Sequence, residues 1–159
     1  MTDIEFMDEA ILQAQQASNH GEVPVGAVVV LNGAIIGRGF NTMVASHDPS
    51  GHAEIQAIRQ AAALIGNYRL TGAEVFATLE PCSMCAGAMV HARIARLVFA
   101  TREPKAGVAV SNAEFFWQPF LNHRVEVVEG VREDVCSALL RTFFSVRRKA
   151  ARKIKKLPN

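Results

Sequence analysis

The β-branched-rich stretch Val25–Leu31 meets Ala34–Phe40 across the dipeptide Asn32-Gly33, and no other feature constrains the fold of this chain as tightly. Asn-Gly tolerates the positive φ angles of a type I′ turn, whose twist suits two antiparallel strands, so the pair is a β-hairpin. The same dipeptide breaks the longest apolar region, Val23 to Gly37, which falls short of the ~18–20 residues a membrane helix needs. The N-terminus, Met-Thr-Asp-Ile-Glu, lacks the basic-then-apolar order of a signal peptide. The expected location is the cytoplasm, with no membrane partner.

Around the hairpin, strand and helix patterns alternate. Ile4, Met7, Ile11, Ala14 and Ala17 recur at spacings of three and four, so residues 4–18 read as an amphipathic helix. Asn41–Gly51 is polar and turn-rich and is expected to be a loop. A helix over Ala53–Leu64, a strand over Glu74–Leu79, a short helix over Met84–Arg93 and a strand over Arg96–Ala100 follow. Thr101–Asn122 carries Pro104, Gly107 and Pro119 and reads as a long functional loop. A strand over Arg124–Val128 and a helix over Arg132–Lys149 complete the order. This predicts an α/β fold: a mixed five-stranded sheet covered by helices on both faces. At 159 residues, half of them apolar, the chain fits one domain and excludes a disordered, collagen-like or coiled-coil protein. We expect a single domain over 1–150 and a basic tail over 151–159, with disorder of that tail an open alternative.

The formal charge of +2 hides an asymmetry. Residues 1–136 sum to −6, whereas residues 137–159 sum to +8 and contain no acid. A basic end on an acidic body suits a nucleic-acid partner. It equally suits a solvated helix C-terminus, and charge does not separate the two.

Chemistry concentrates at two strand-to-helix or loop-to-helix boundaries: His52-Ala53-Glu54, and Pro81-Cys82-Ser83-Met84-Cys85. Cys-x-x-Cys at a helix start puts two sulfurs within reach of one ion, and the helix N-terminus favours thiolate over thiol. A redox dithiol uses the same spacing. It needs no His-x-Glu elsewhere, so the metal reading is preferred. Two thiolates and an imidazole suit tetrahedral zinc. A fourth ligand is hard to find, because His91 would point away from Cys85 on their shared helix and Cys136 reads as a small buried residue of the final helix. Three ligands and an open corner make the zinc catalytic, with Glu54 placed to carry protons. His52 and Glu54 can approach one ion only if His52 lies in an irregular first turn.

These residues resemble the His-x-Glu…Pro-Cys-x-x-Cys signature of the zinc nucleoside and nucleobase deaminases, within the cytidine/deoxycytidylate deaminase superfamily. Further segments resemble its bacterial tRNA adenosine deaminase branch: Glu22-Val23-Pro24-Val25-Gly26-Ala27, Asn41, Asp48-Pro49, Asn67-Tyr68-Arg69-Leu70, Thr78-Leu79-Glu80, Cys85-Ala86-Gly87-Ala88 and Asn122-His123-Arg124-Val125-Glu126. The resemblance spans about Phe6 to Arg148. It implies a three-layer α/β/α cytidine-deaminase-like fold and one zinc per subunit on His52, Cys82 and Cys85. It also implies Glu54 as the proton donor and a homodimer acting on the tRNA anticodon stem-loop, where wobble adenosine becomes inosine. Asn41, with Val23, Pro24 and Ala53, would bind the target nucleoside. Arg102, Lys105, Arg147 and Arg148 would meet the RNA backbone. Phe143 and Phe144 read either as a stacking surface or as core. Arg102-Glu103-Pro104-Lys105 departs from the branch in having Glu where Asp is frequent, and Gly51 stands where Ala is common. Deamination of a free base such as guanine or cytosine is the alternative within the superfamily, and a non-catalytic zinc module that binds nucleic acid is the alternative outside it.

Overall fold

A computed structural model describes residues 1–158. Helix α1 (Asp3–Asn19) opens with a capping box, in which the Thr2 side chain accepts from the Glu5 amide while the Glu5 carboxylate accepts from the Thr2 amide. Strands β1 (Gly26–Leu31) and β2 (Ala34–Phe40) form the expected hairpin, with Asn32 and Gly33 both at positive φ, 51° and 78°. A four-residue helix, α2 (Met43–Ser46), precedes α3 (Ala53–Ile65), β3 (Glu74–Leu79), α4 (Ser83–His91) and β4 (Arg96–Thr101). A long segment with one 3-10 turn, Phe115–Trp117, leads to β5 (Glu126–Glu129) and α5 (Glu133–Lys155).

The sheet order is β2-β1-β3-β4-β5. β1 runs antiparallel to both β2 and β3, whereas β3, β4 and β5 are mutually parallel. Register explains how every strand can be apolar. Val28, Phe76, Val98 and Val128 form one row across the sheet and pack with Phe6, Met7, Ala10 and Ile11 of α1 and Cys136 of α5. The next row, Val29, Val75, Leu97 and Val127, faces α3 and α4 with Ala53, Ala57, Ala61, Cys85 and Met89. Successive side chains of a strand alternate faces, so a sheet with helices on both sides needs continuous apolar strands. The α/β/α architecture with five mixed strands is therefore as expected.

Close approach of α3 to β2 depends on Gly37 and Gly39. A Cβ on Gly39 would lie 2.4 Å from the Ala53 carbonyl oxygen, and one on Gly37 would lie 2.2 Å from that of Ala57. Arg96 ties the layers at the other end, reaching Asp3 of α1 and Glu74 of β3.

Four features differ from the sequence reading by two residues or more. The expected loop Asn41–Gly51 contains α2. Helix α4 ends at His91, because Arg93 turns left-handed at φ 60°. β5 begins at Glu126, two residues late, since the Arg124 guanidinium bonds the carbonyls of Gln118, Leu121 and Phe116 and so holds the preceding loop. α5 runs six residues past Lys149, so most of the 151–159 stretch is helical; Asn159 lies outside the described residues.

Candidate metal centre and active site

The helix starts of α3 and α4 converge beyond the C-terminal end of β3, beside the point where the sheet changes from antiparallel to parallel. Open α/β sheets bind ligands at this kind of place. His52 is the N-cap of α3 with extended backbone (φ −73°, ψ 150°), so its ring leaves the helix direction and points at α4. Cys82 is the N-cap of α4, also extended (φ −78°, ψ 175°), and Cys85 lies in its first turn. The irregular turn that His52 and Glu54 require is therefore present.

His52 Nδ1 lies 3.6 Å from Cys82 Sγ and 3.5 Å from Cys85 Sγ. Zinc–sulfur and zinc–nitrogen bonds of ~2.3 and ~2.0–2.1 Å at tetrahedral angles put such atoms about 3.6 Å apart. The donor set and its spacing fit zinc. Among the described residues the cluster has three members, all within 4.8 Å of one another, one short of a closed structural site. Cys136, on α5, packs with the α1 residues on the opposite face of the sheet, and His91 lines a separate groove beside Phe120.

The electrostatics favour a metal. The Cys85 thiol donates to Cys82, and with His52 this holds Cys82 well below the usual thiol range despite burial. Cys85 is raised in turn, first by sharing its proton with Cys82 and then by burial. One thiolate is thus preformed, and a bound cation would displace the remaining proton. Glu54, on the first turn of α3, is 4% exposed, and burial pushes its carboxyl above the ordinary carboxylate range.

A cavity of about 270 Å³ opens over these groups, lined by Val23, Asn41, Met43, His52, Glu54 and Cys82 together with Leu79, Glu103, Ala106 and Phe144. It lies near the low end for small-ligand sites, ~300–1,000 Å³, and suits a single base. Asn41 is wedged into the wall: its Nδ2 donates to the Val23 carbonyl at 3.2 Å, and its Oδ1 accepts from the Ala53 amide at 2.9 Å. One Nδ2 proton and one Oδ1 lone pair stay free for a ligand. Pro24 and Ala53 are buried behind the wall rather than lining it.

Of the expected RNA-backbone residues, Arg102 is engaged by Glu129 at 2.8 Å. Lys105 is exposed on the loop that carries Ala106. Arg147 and Arg148 are exposed on α5, with Arg147 over the Phe143 ring. Arg147 and Phe143 also line a larger groove, about 790 Å³, between α5 and the end of α1, away from the metal cluster. Phe144, 38% exposed, reaches the mouth of the small cavity, so the aromatic pair divides between two surfaces.

Two acids that the sequence reading left without a role organise the walls. Glu80, buried at the end of β3, accepts from the amides of Glu103, Val110 and Ser111 and from the Ser111 hydroxyl. Burial pushes its carboxyl up, but these donors together hold it below the usual carboxylate range. The long loop is thereby folded over the cavity. Glu22, also buried, accepts from the amides of Val44 and Ala45.

Residues 1–101 match the family model for the cytidine and deoxycytidylate deaminase zinc-binding region. The chain belongs to this family of zinc-dependent deaminases. Within it, the chain is 46% identical over 147 residues to the tRNA-specific adenosine deaminase of Haemophilus influenzae, covering 92% of this chain and 85% of that protein. It is 43% identical over 143 residues to the enzyme of the same name from Agrobacterium fabrum, covering 90% and 94%. A chain solved in structural work on A-to-I editing by tRNA:A34 deaminases superposes with a TM-score of 0.83 at 42% identity, covering 86% of this chain and 99% of that one.

Proposed function

We propose that this protein converts adenosine to inosine in tRNA by zinc-dependent hydrolytic deamination, acting on the wobble position of the anticodon stem-loop. The observation that carries the reading is a three-donor metal cluster beside a buried carboxylate at the floor of a cavity sized for one base. Similarity to tRNA-specific adenosine deaminases over nine-tenths of the chain supports adenosine in RNA over a free base.

His52 Nδ1 and the sulfurs of Cys82 and Cys85 would hold the zinc. When bound, zinc acts as a Lewis acid that lowers the pKa of water toward neutrality. Glu54 takes a proton from the attacking water and delivers it to N1 of adenine as the oxygen bonds to C6. It then carries the second proton to the departing amine, so that adenosine and water leave as inosine and ammonia. A carboxyl raised by burial suits both halves of this shuttle, since a proton carrier works best with a pKa near the operating pH. Asn41, with its spare donor and acceptor, orients the base against the Val23 wall. The base must first leave its stack, at a cost of a few kcal/mol that a single-stranded loop reduces.

Around the mouth, Phe144 offers a stacking surface, and Arg148, one helical turn further along α5, extends from the same side toward phosphates. Lys105 adds to this positive rim, and Arg147, over the Phe143 ring on the neighbouring groove, extends the basic surface along α5. The protein works in the cytoplasm as a homodimer; exposed Phe120, on the groove beside α4, supports an apolar surface for the second subunit. No helix among the described residues is long and apolar enough to cross a membrane.

Incubation with an anticodon stem-loop, free guanine and free cytosine tests the reading. Inosine from the stem-loop and no ammonia from the free bases is the expected result. Deamination of a free base alone contradicts it, and no ammonia from any substrate would restore the non-catalytic zinc module.

A further inference from the structure

Glu22 is 1% exposed, and neither the metal cluster nor the proton shuttle uses it. Its carboxylate reaches across 22 residues of chain to α2, where Oε1 accepts from the Val44 amide at 2.9 Å. Oε2 accepts from the Ala45 amide at 2.8 Å. These are first-turn amides of a four-residue helix whose own N-cap, Thr42, makes no side-chain capping bond. A helix this short has no stability of its own. A charged acceptor supplied from elsewhere does the work of the missing cap, at the end of the helix where the backbone dipole favours an anion.

Both ends of this tie border the cavity. Residue 23, directly after Glu22, lines it and accepts from Asn41; residue 43, directly before the capped amides, lines it too. We infer that Glu22 is a positioning residue for the target base: it fastens α2 as a wall of the cavity and so sets Met43 and Asn41 against whatever base enters, without touching the reacting atoms. The inference rests on the deaminase reading and deepens it, because it identifies what fixes the shape of the base site at the wall formed by Asn41 and Met43.

A wall that grips substrate and transition state alike contributes uniform binding, so loosening it raises KM and leaves kcat largely alone. The substitutions should grade. Glu22→Gln keeps one acceptor oxygen and nearly the same volume, whereas Glu22→Ala keeps no acceptor. With an anticodon stem-loop as substrate, Glu22→Ala is expected to raise KM about tenfold or more with kcat within about threefold, and Glu22→Gln to fall between it and the parent. Zinc should stay at one per chain in both variants. A fall in kcat at unchanged KM, or an unchanged KM in Glu22→Gln, overturns the assignment; the Gln variant decides if the Ala variant does not fold. If the parent protein forms inosine and the variants match it, this inference falls alone. If the parent forms none, the deaminase reading falls and takes the inference with it.

Discussion

Glu54 is not one of the three mutually close donors, although its carboxyl lies in hydrogen-bond contact with the Cys85 side chain. Its carboxylate lines the cavity from a buried position on α3, and as the proposed proton carrier it would serve the reacting atoms without holding the ion. Glu54→Ala should therefore keep one zinc per chain, measured by elemental analysis, while stem-loop deamination falls by at least about 100-fold, as expected when a proton carrier is removed. Zinc lost together with activity would make Glu54 a ligand or a folding element. The metal donors were legible in the sequence because their chemistry is local: thiolates three residues apart at a helix start and an imidazole beside a carboxylate need no further context. Glu22 and Glu80 were not. Their partners are backbone amides 22 to 31 residues away, and an amide carries no residue signature.

Among the elements, the hairpin was readable because Asn-Gly states its own backbone geometry, and the helices and strands followed from apolar periodicity. Helix α2 was not, since its stability comes from a carboxylate on another segment rather than from Met43-Val44-Ala45-Ser46. The same holds for β5, whose start depends on where Arg124 finds its carbonyl partners. The hairpin's glycines connect this scale to the site. Gly39→Ala would drive a Cβ to within 2.4 Å of the Ala53 carbonyl, in the residue directly after His52. Overpacking of this kind costs about 1–3 kcal/mol. We expect a lower denaturation midpoint and reduced zinc occupancy in the same preparation; unchanged stability and full zinc would mean that α3 shifts freely, contrary to its role in aiming His52.

For the whole molecule, the charge asymmetry becomes a shape. The body carries the acids, and α5 leads from Phe144 at the cavity mouth into an exposed run of Arg147, Arg148, Lys149, Arg152, Lys153 and Lys155. Each phosphate neutralised by such a side chain steepens the salt dependence of RNA binding. Deleting residues 147–159 should weaken stem-loop binding and flatten the slope of log affinity against log salt. An identical slope would reduce the segment to a solubility element. The sequence could name these charges but not aim them, because their placement depends on where α5 crosses the sheet.

The reading depends most on the metal, and its removal gives the most direct measurement. Dialysis against a chelator should abolish inosine formation on the stem-loop, and one equivalent of zinc per chain should restore it. Full activity in a preparation shown by elemental analysis to be free of metal would contradict the account at its centre.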